Sequence, residues 1–223
     1  TPMKRGIPNN IIEQTKLFGY NDLASLERLI TDFPHQLACV VLEPSAVEHP
    51  APSWTHPGET YLHDVQRLCK KHGIVFILDE MITGFRWDLK GAQHYYHLQP
   101  DLCTFGKAMA NGFSVAAVAG KREIMELGAI EFEGRERLFL LSTTHGAEMS
   151  GLGAFVKTVE LMKRDQVVTH IWRYGQQLID LINAKAANAG IADYFKAGGV
   201  PCSPWYATCD MTGATSLPLR TLF

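Results

Sequence analysis

The chain has 223 residues, of which 46% are hydrophobic and 20% charged, and 21 Lys+Arg against 23 Asp+Glu leave a net charge of −2. That composition excludes a disordered chain and a collagen-like or coiled-coil rod. The near-cancelling charge offers no basic surface for nucleic acid.

The length suits one large domain plus part of another, or two smaller ones. The longest clean apolar run, Leu37 to Leu42, falls far short of the roughly 18 residues of a membrane helix, so no membrane partner is expected. The first residues, TPMKRGIPNN, carry no apolar signal core and no initiator Met, and the chain reads as processed or incomplete. Five cysteines form no CxxC pair, and three lie within or beside apolar segments. That pattern fits buried thiols in a reducing, cytoplasmic compartment.

Residues 22–33 place Leu23, Leu26, Leu29 and Ile30 at helical spacing, with Asn21 or Asp22 as N-cap. LACVVLEP (37–44) reads as a buried strand, and the proline-rich stretch from Ser45 to Gly58 as a loop. Residues 59–72 form a helix whose last turn holds Lys70, Lys71 and His72, with Gly73 beyond as a left-handed cap. Further strands follow at IVFILD (74–79), DLCTF (101–105), SVAAVAG (114–120) and LFLLST (138–143). Helices are expected over 121–127, 147–164 and 166–188, then short strands such as PWYATCD (204–210). Strand–helix alternation with continuous apolar runs predicts an α/β fold, a mostly parallel sheet covered by helices. A domain boundary is expected near residue 165.

Ligands of an open parallel sheet collect beyond the carboxyl ends of its strands. Asp79-Glu80 stands at such an end, after five apolar residues. One reading is structural, a helix cap or a buried ion pair. A second is the carboxylate of a phosphate-loop NTPase. That fold needs GxxxxGK followed by Ser or Thr. Here Asp101 takes the first glycine position, Ala108 replaces Ser/Thr, and the Gly106-Lys107 loop follows the carboxylate instead of preceding it. The third reading pairs Asp79 with Lys107, which directly follows the DLCTF strand. An amine beside an aspartate in an α/β cleft suits pyridoxal phosphate: the amine condenses with the aldehyde and the carboxylate keeps the pyridine nitrogen protonated. His94 and His97 stand three apart on a predicted helix, but no further ligand set completes a metal site around them.

DEMITGFR (79–86) resembles the DEVxTGF signature of class III, fold type I aminotransferases, and PDLCTFGKA (100–108) is similar to the segment carrying their cofactor lysine. YNDLASLERLI (20–30), VLEP (41–44), GAQHYYHLQPDL (91–102) and LSTTHGAE (141–148) match in order and spacing, most closely the glutamate-1-semialdehyde aminomutases and their aminotransferase relatives. The resemblance implies residues 1–164 as part of a cofactor-binding large domain, and 165–223 as a linking helix with the start of a small C-terminal α+β domain. It implies a chain shortened at both ends and a homodimer sharing its sites. Lys107 would be the Schiff-base lysine and proton carrier, Asp79 the partner of the pyridine nitrogen, and Met81 a cover on one ring face. Thr143, or Thr144 if the alignment slips by one, would reach the cofactor phosphate of the neighbouring subunit. Val47-Glu48-His49 departs from the family pattern after Glu-Pro, and His145 and Glu148 replace residues commonly Ser and Pro. The implied reaction is amino transfer between an amino donor and an aldehyde or ketone. The alternatives are a 2,1-aminomutase shifting nitrogen within one molecule and a non-catalytic relative.

Overall fold

A computed structural model describes residues 4–45, 48–129 and 146–222, with Glu131, Gly134 and Glu136. In chain order the elements are α1 (Asn9–Glu13), α2 (Leu23–Asp32), β1 (Cys39–Leu42), α3 (Tyr61–His72), β2 (Val75–Asp79), α4 (Ala92–Tyr95), β3 (Leu102–Phe105), β4 (Ala117–Gly120), α5 (Arg122–Met125), α6 (Met149–Arg164), α7 (Val167–Asn188), β5 (Phe195–Val200), β6 (Ser203–Thr208) and α8 (Leu217–Leu222). The expected strand at 138–143 lies outside the described residues. The chain divides into two compact units, Thr1–Val40 with Pro50–Val75, and Val41–His49 with Phe76–Phe223.

In the first unit Asp22 caps α2, its carboxylate accepting the Ser25 N–H at 3.1 Å. Thr60 and His63 form a reciprocal capping box at the start of α3, and Gly73 closes that helix at φ 66. Asp22 and Gly73 are ends the sequence marks, while the Thr60 cap starts α3 at Tyr61, two residues inside the expected 59–72. Leu26, Tyr61, Leu62, Val65 and Cys69 are buried. The preceding loop is pinned to α3: the Ser53 and Thr55 hydroxyls donate to Asp64 at 2.9 and 3.0 Å, and Arg67 pairs with Glu59 and Asp64.

The four-stranded sheet has the order β1-β2-β3-β4. β2 and β3 are parallel, with Asp79 opposite Thr104, and β4 runs antiparallel to β3. Phe76, Leu78 and Cys103 are buried while Ile77 and Asp79 are half-buried, so β2 alternates instead of burying every residue. β1 departs further from the expected buried strand. Val40 is buried, but Cys39 and Val41 are exposed. Among the described strands β1 is the sheet's edge, and one of its faces is not packed. At the start of β3, Asp101 accepts the Phe76 N–H at 2.7 Å and pairs with Lys121 at 2.6 Å, which fixes the β2–β3 register.

α7 and the β5–β6 hairpin pack against the segment that follows β2. The Trp172 indole N–H lies 3.2 Å from the Arg86 carbonyl, and Trp87, Ala92, Val200 and Cys202 form one buried cluster. The Asn183 amide exchanges hydrogen bonds of 2.8 and 3.0 Å with the Ala197 backbone. The loop carrying residues 80–91 is therefore braced from behind. α4 ends at Tyr95, so His97, at φ 57, lies beyond the helix expected to carry both histidines. Among the described residues no helix is long and apolar enough to cross a membrane.

Candidate active site

Three adjacent strands each deliver a charged side chain at or just past one end. Glu43 follows β1, Asp79 closes β2, and Lys107 stands two residues after β3. Asp79 and Lys107 both lie within electrostatic reach of Glu43. Burial, then the Asp79 charge, pushes the Glu43 carboxyl above its usual range, while Lys107 pulls it back. A lone carboxylate would resist ionisation beside a second one; the ammonium offsets that repulsion.

Asp79 is held firmly on one oxygen. Its Oδ1 accepts the Met81 N–H and the Thr104 hydroxyl, each at 3.0 Å. Among the described residues its Oδ2 accepts no hydrogen bond. Met81 turns its thioether onto Gly106, the residue before Lys107. Lys107 opens a short 3₁₀ turn, Lys107–Met109, in the left-handed region at φ 44, and its side chain is exposed. Left-handed backbone in a non-glycine residue stores strain, and such strain clusters at functional sites.

Glu80, the other half of the carboxylate pair, does something different. It is fully buried and its oxygens accept the Ala92 N–H at 2.6 Å, the Gln93 N–H at 2.8 Å and the Thr83 hydroxyl at 2.8 Å. It caps α4 and ties the 80–93 loop shut. The structural reading of the pair thus holds for Glu80, while Asp79 faces the sheet's end. Phe85 adds an aromatic bank, packing edge-on to Phe105 and Phe155 at 5.9 Å each.

The Met81 N–H bonds Asp79, and the Met81 side chain lies against Gly106, the residue before Lys107. Thr143, Thr144 and His145 lie outside the described residues. Glu43, Thr104 and Gly106 neighbour Asp79, Met81 or Lys107 without having been singled out. Glu43 carried a signal, since LACVVL-Glu43 repeats the pattern of an apolar run closed by a carboxylate seen in IVFIL-Asp79. Thr104 carried none, because its place opposite Asp79 depends on the β2–β3 register.

The donor set fits pyridoxal phosphate at two ends of its ring: an exposed amine for the aldehyde, and a carboxylate whose second oxygen accepts no hydrogen bond among the described residues for the ring nitrogen. The Met81 thioether lies against Gly106, next in sequence to the lysine. Among the described residues no group of three or more His, Cys, Asp or Glu could hold a metal ion.

An amine and a carboxylate at the carboxyl edge of a partly parallel, helix-covered sheet define a lysine-bearing α/β protein. The profile described as aminotransferase class-III matches residues 3–199, and the chain belongs to that family. It is 33% identical over 222 residues to 3-aminobutyryl-CoA aminotransferase of Cloacimonas acidaminovorans, covering 98% of this chain and 47% of that one. It is 33% identical over 194 residues to glutamate-1-semialdehyde 2,1-aminomutase 1 of Lachnoclostridium phytofermentans, covering 85% and 43%. A solved transaminase with pyridoxal phosphate bound shares the fold at a TM-score of 0.74 and 20% identity, covering 92% of this chain and 46% of that one. The chain spans a little under half the length of the curated relatives it matches.

Proposed function

We propose that the protein is a pyridoxal-phosphate-dependent aminotransferase that moves an amino group between an amino donor and an aldehyde or ketone. The observation that carries this is the convergence of Asp79 and Lys107, with Glu43, at one end of β1, β2 and β3. When bound, the cofactor supplies an aldehyde that condenses with amines and a ring that withdraws electrons from the substrate Cα. Lys107 Nζ is the amine that would hold its aldehyde and the base that would carry the proton at the substrate Cα. Asp79 would keep the ring nitrogen protonated through Oδ2, which accepts no hydrogen bond among the described residues. Thr104 and the Met81 N–H hold that carboxylate in one orientation. Met81 covers one ring face and keeps water from it. Thr143 or Thr144 holds the phosphate of the neighbouring subunit's cofactor, in a homodimer with shared sites. Residues 1–164 then belong to the large domain and 165–223 open the small one. A cytoplasmic setting is supported by the five free cysteines.

A second reading, a 2,1-aminomutase, is supported by the semialdehyde aminomutase relative. Both use the same groups and differ in whether the intermediate leaves. Titrating the cofactor-loaded protein with candidate amino donors separates them. Bleaching of the visible band with stoichiometric keto acid identifies the transferase. Bleaching without keto acid identifies the mutase. A band that no donor bleaches contradicts both.

A further inference from the structure

We propose that Asn111 is a site of spontaneous deamidation: its side-chain amide is lost to the Gly112 backbone nitrogen, leaving aspartate or isoaspartate one turn past Lys107. The modification needs no cofactor. Its consequence for cofactor binding rests on the reading of Lys107 as the anchoring amine.

Asn111 and Gly112 lie in the segment AMANGFS, shortly after the 3₁₀ turn Lys107–Met109. Of the six asparagines in the chain, Asn111 alone precedes a glycine. Ring closure brings the following backbone nitrogen onto the side-chain carbonyl carbon. It needs a nitrogen held by no hydrogen bond, an untethered side-chain amide, and room around the next residue. All three hold here. Both residues are exposed, and among the described residues nothing is hydrogen-bonded to the Asn111 side chain or to the Gly112 N–H. A Cβ at position 112 would meet nothing within 4 Å, and Gly112 stands at φ 116. A glycine in open space can follow the rotation about the Asn111 Cα–C bond that the attack requires. Asn21 is the internal contrast. It too is left-handed, at φ 60 against φ 48 for Asn111. Its Oδ1, however, accepts the Ala51 N–H at 2.8 Å, and the next N–H, that of Asp22, donates to the Gly19 carbonyl at 3.3 Å. The Asn183 amide is likewise tied down, by the Ala197 backbone.

The Gly112 nitrogen forms a bond to Asn111 Cγ, and the bond from Cγ to the amide nitrogen breaks. Ammonia leaves with the proton that the Gly112 nitrogen gives up, and a cyclic imide joins the two residues. Water then opens the imide at either carbonyl. Opening at the side-chain carbonyl gives aspartate. Opening at the backbone carbonyl gives isoaspartate, whose main chain runs through Cβ and is one carbon longer. No oxidant or reductant takes part. Either product is an anion where a neutral amide stood. The Asn111 N–H closes a turn on the Lys107 carbonyl at 3.1 Å, and the Phe113 N–H reaches back to the Ala110 carbonyl at 3.4 Å. The extra carbon of isoaspartate falls inside the Ala110–Phe113 bond. The loop that follows the lysine therefore changes charge and path as the protein ages.

The test is a time course on the folded full chain in mildly alkaline buffer, beside a free peptide of sequence AMANGFS. Peptide mass mapping reads a gain of about 1 Da at residue 111, and enzymatic methylation reads isoaspartate. Residue 111 is expected to convert within about tenfold of the free-peptide rate, as in a segment that opens locally at little cost, and ahead of Asn9, Asn10, Asn21, Asn183 and Asn188. A residue 111 left intact while the peptide converts, or another asparagine converting first, overturns the site. The consequence is read by visible titration with pyridoxal phosphate. Aged wild type is expected to bind about threefold more weakly than fresh protein, while Asn111→Gln, whose longer side chain closes the ring poorly, keeps its fresh affinity on ageing. Equal affinity in converted and fresh wild type, or an equal loss in Asn111→Gln, overturns the consequence. Borohydride trapping on fresh protein separates this from the underlying reading: no label at Lys107 refutes that reading, and the mass result alone then decides the site.

Discussion

Thr104 stands opposite Asp79 in the parallel β2–β3 pair, and its hydroxyl donates to the Asp79 carboxylate at 3.0 Å. The bond joins the strand that ends in the acid to the strand that leads to the amine. Replacing Thr104 with Val keeps the β-branched shape and removes the donor. A hydrogen bond to a charged group contributes about 1.5 kcal/mol or more. Thr104→Val is therefore expected to weaken cofactor binding roughly tenfold by visible titration, with Thr104→Ser near wild type. Equal affinity in Thr104→Val contradicts a role for this bond.

Glu43 feels Asp79 and Lys107 together. Asp79→Asn removes the like charge, so the Glu43 titration midpoint, followed by carboxylate NMR, is expected to fall toward its ordinary value, and Lys107→Met is expected to raise it. The carboxylate is only partly withdrawn from water, which screens it and limits each change to about a few tenths of a pH unit. A Glu43 midpoint that neither variant moves contradicts the clustering of the three groups.

Glu80 shapes stability, not chemistry. Its carboxyl is pushed above the usual glutamate value of 4.5, by burial first, against the pull of its three donors. A raised acid binds its proton more tightly folded than unfolded. Its contribution to stability is full below 4.5 and is lost as pH rises through the folded value. Glu80→Gln cannot titrate and turns an amide toward N–H donors, which costs about 1–3 kcal/mol. Denaturant melts of both proteins from pH 4 to 8 check this. The wild-type advantage is expected to be largest at the acid end and to shrink with rising pH; an advantage that grows with pH contradicts the raised value.

The strands nearest the site were legible because each pairs an apolar run with an abrupt charge, as at Asp79 and Lys107. Helix ends were legible where caps are local: Asp22 and Gly73 act on residues within a turn. What could not be read depends on contacts far apart in sequence. The exposure of Val41 follows from β1 standing at the sheet's edge, which no local pattern records. The antiparallel β4 follows from the direction of its connection after Lys107. Glu80 and Asp79 look alike in sequence, and only the return of the chain at Ala92 and Gln93 separates the cap from the site residue.

Cysteine reactivity divides along burial. Cys103 and Cys202 are buried and their thiols are pushed up to about 12 by burial, while Cys39 is exposed. At pH 8 a thiol of that kind is about one part in ten thousand thiolate, too little to react at an ordinary rate. Labelling native protein with a disulfide reagent is expected to modify Cys39 first and to leave Cys69, Cys103 and Cys202 until unfolding. Early label on Cys103 would show that the strand beside Asp79 opens readily.

The most direct measurement is borohydride reduction of the protein loaded with pyridoxal phosphate, followed by peptide mass mapping. The account predicts the pyridoxyl group on Lys107, with label and visible band both lost in Lys107→Ala. Label on a different lysine, or an unchanged band in Lys107→Ala, would contradict it.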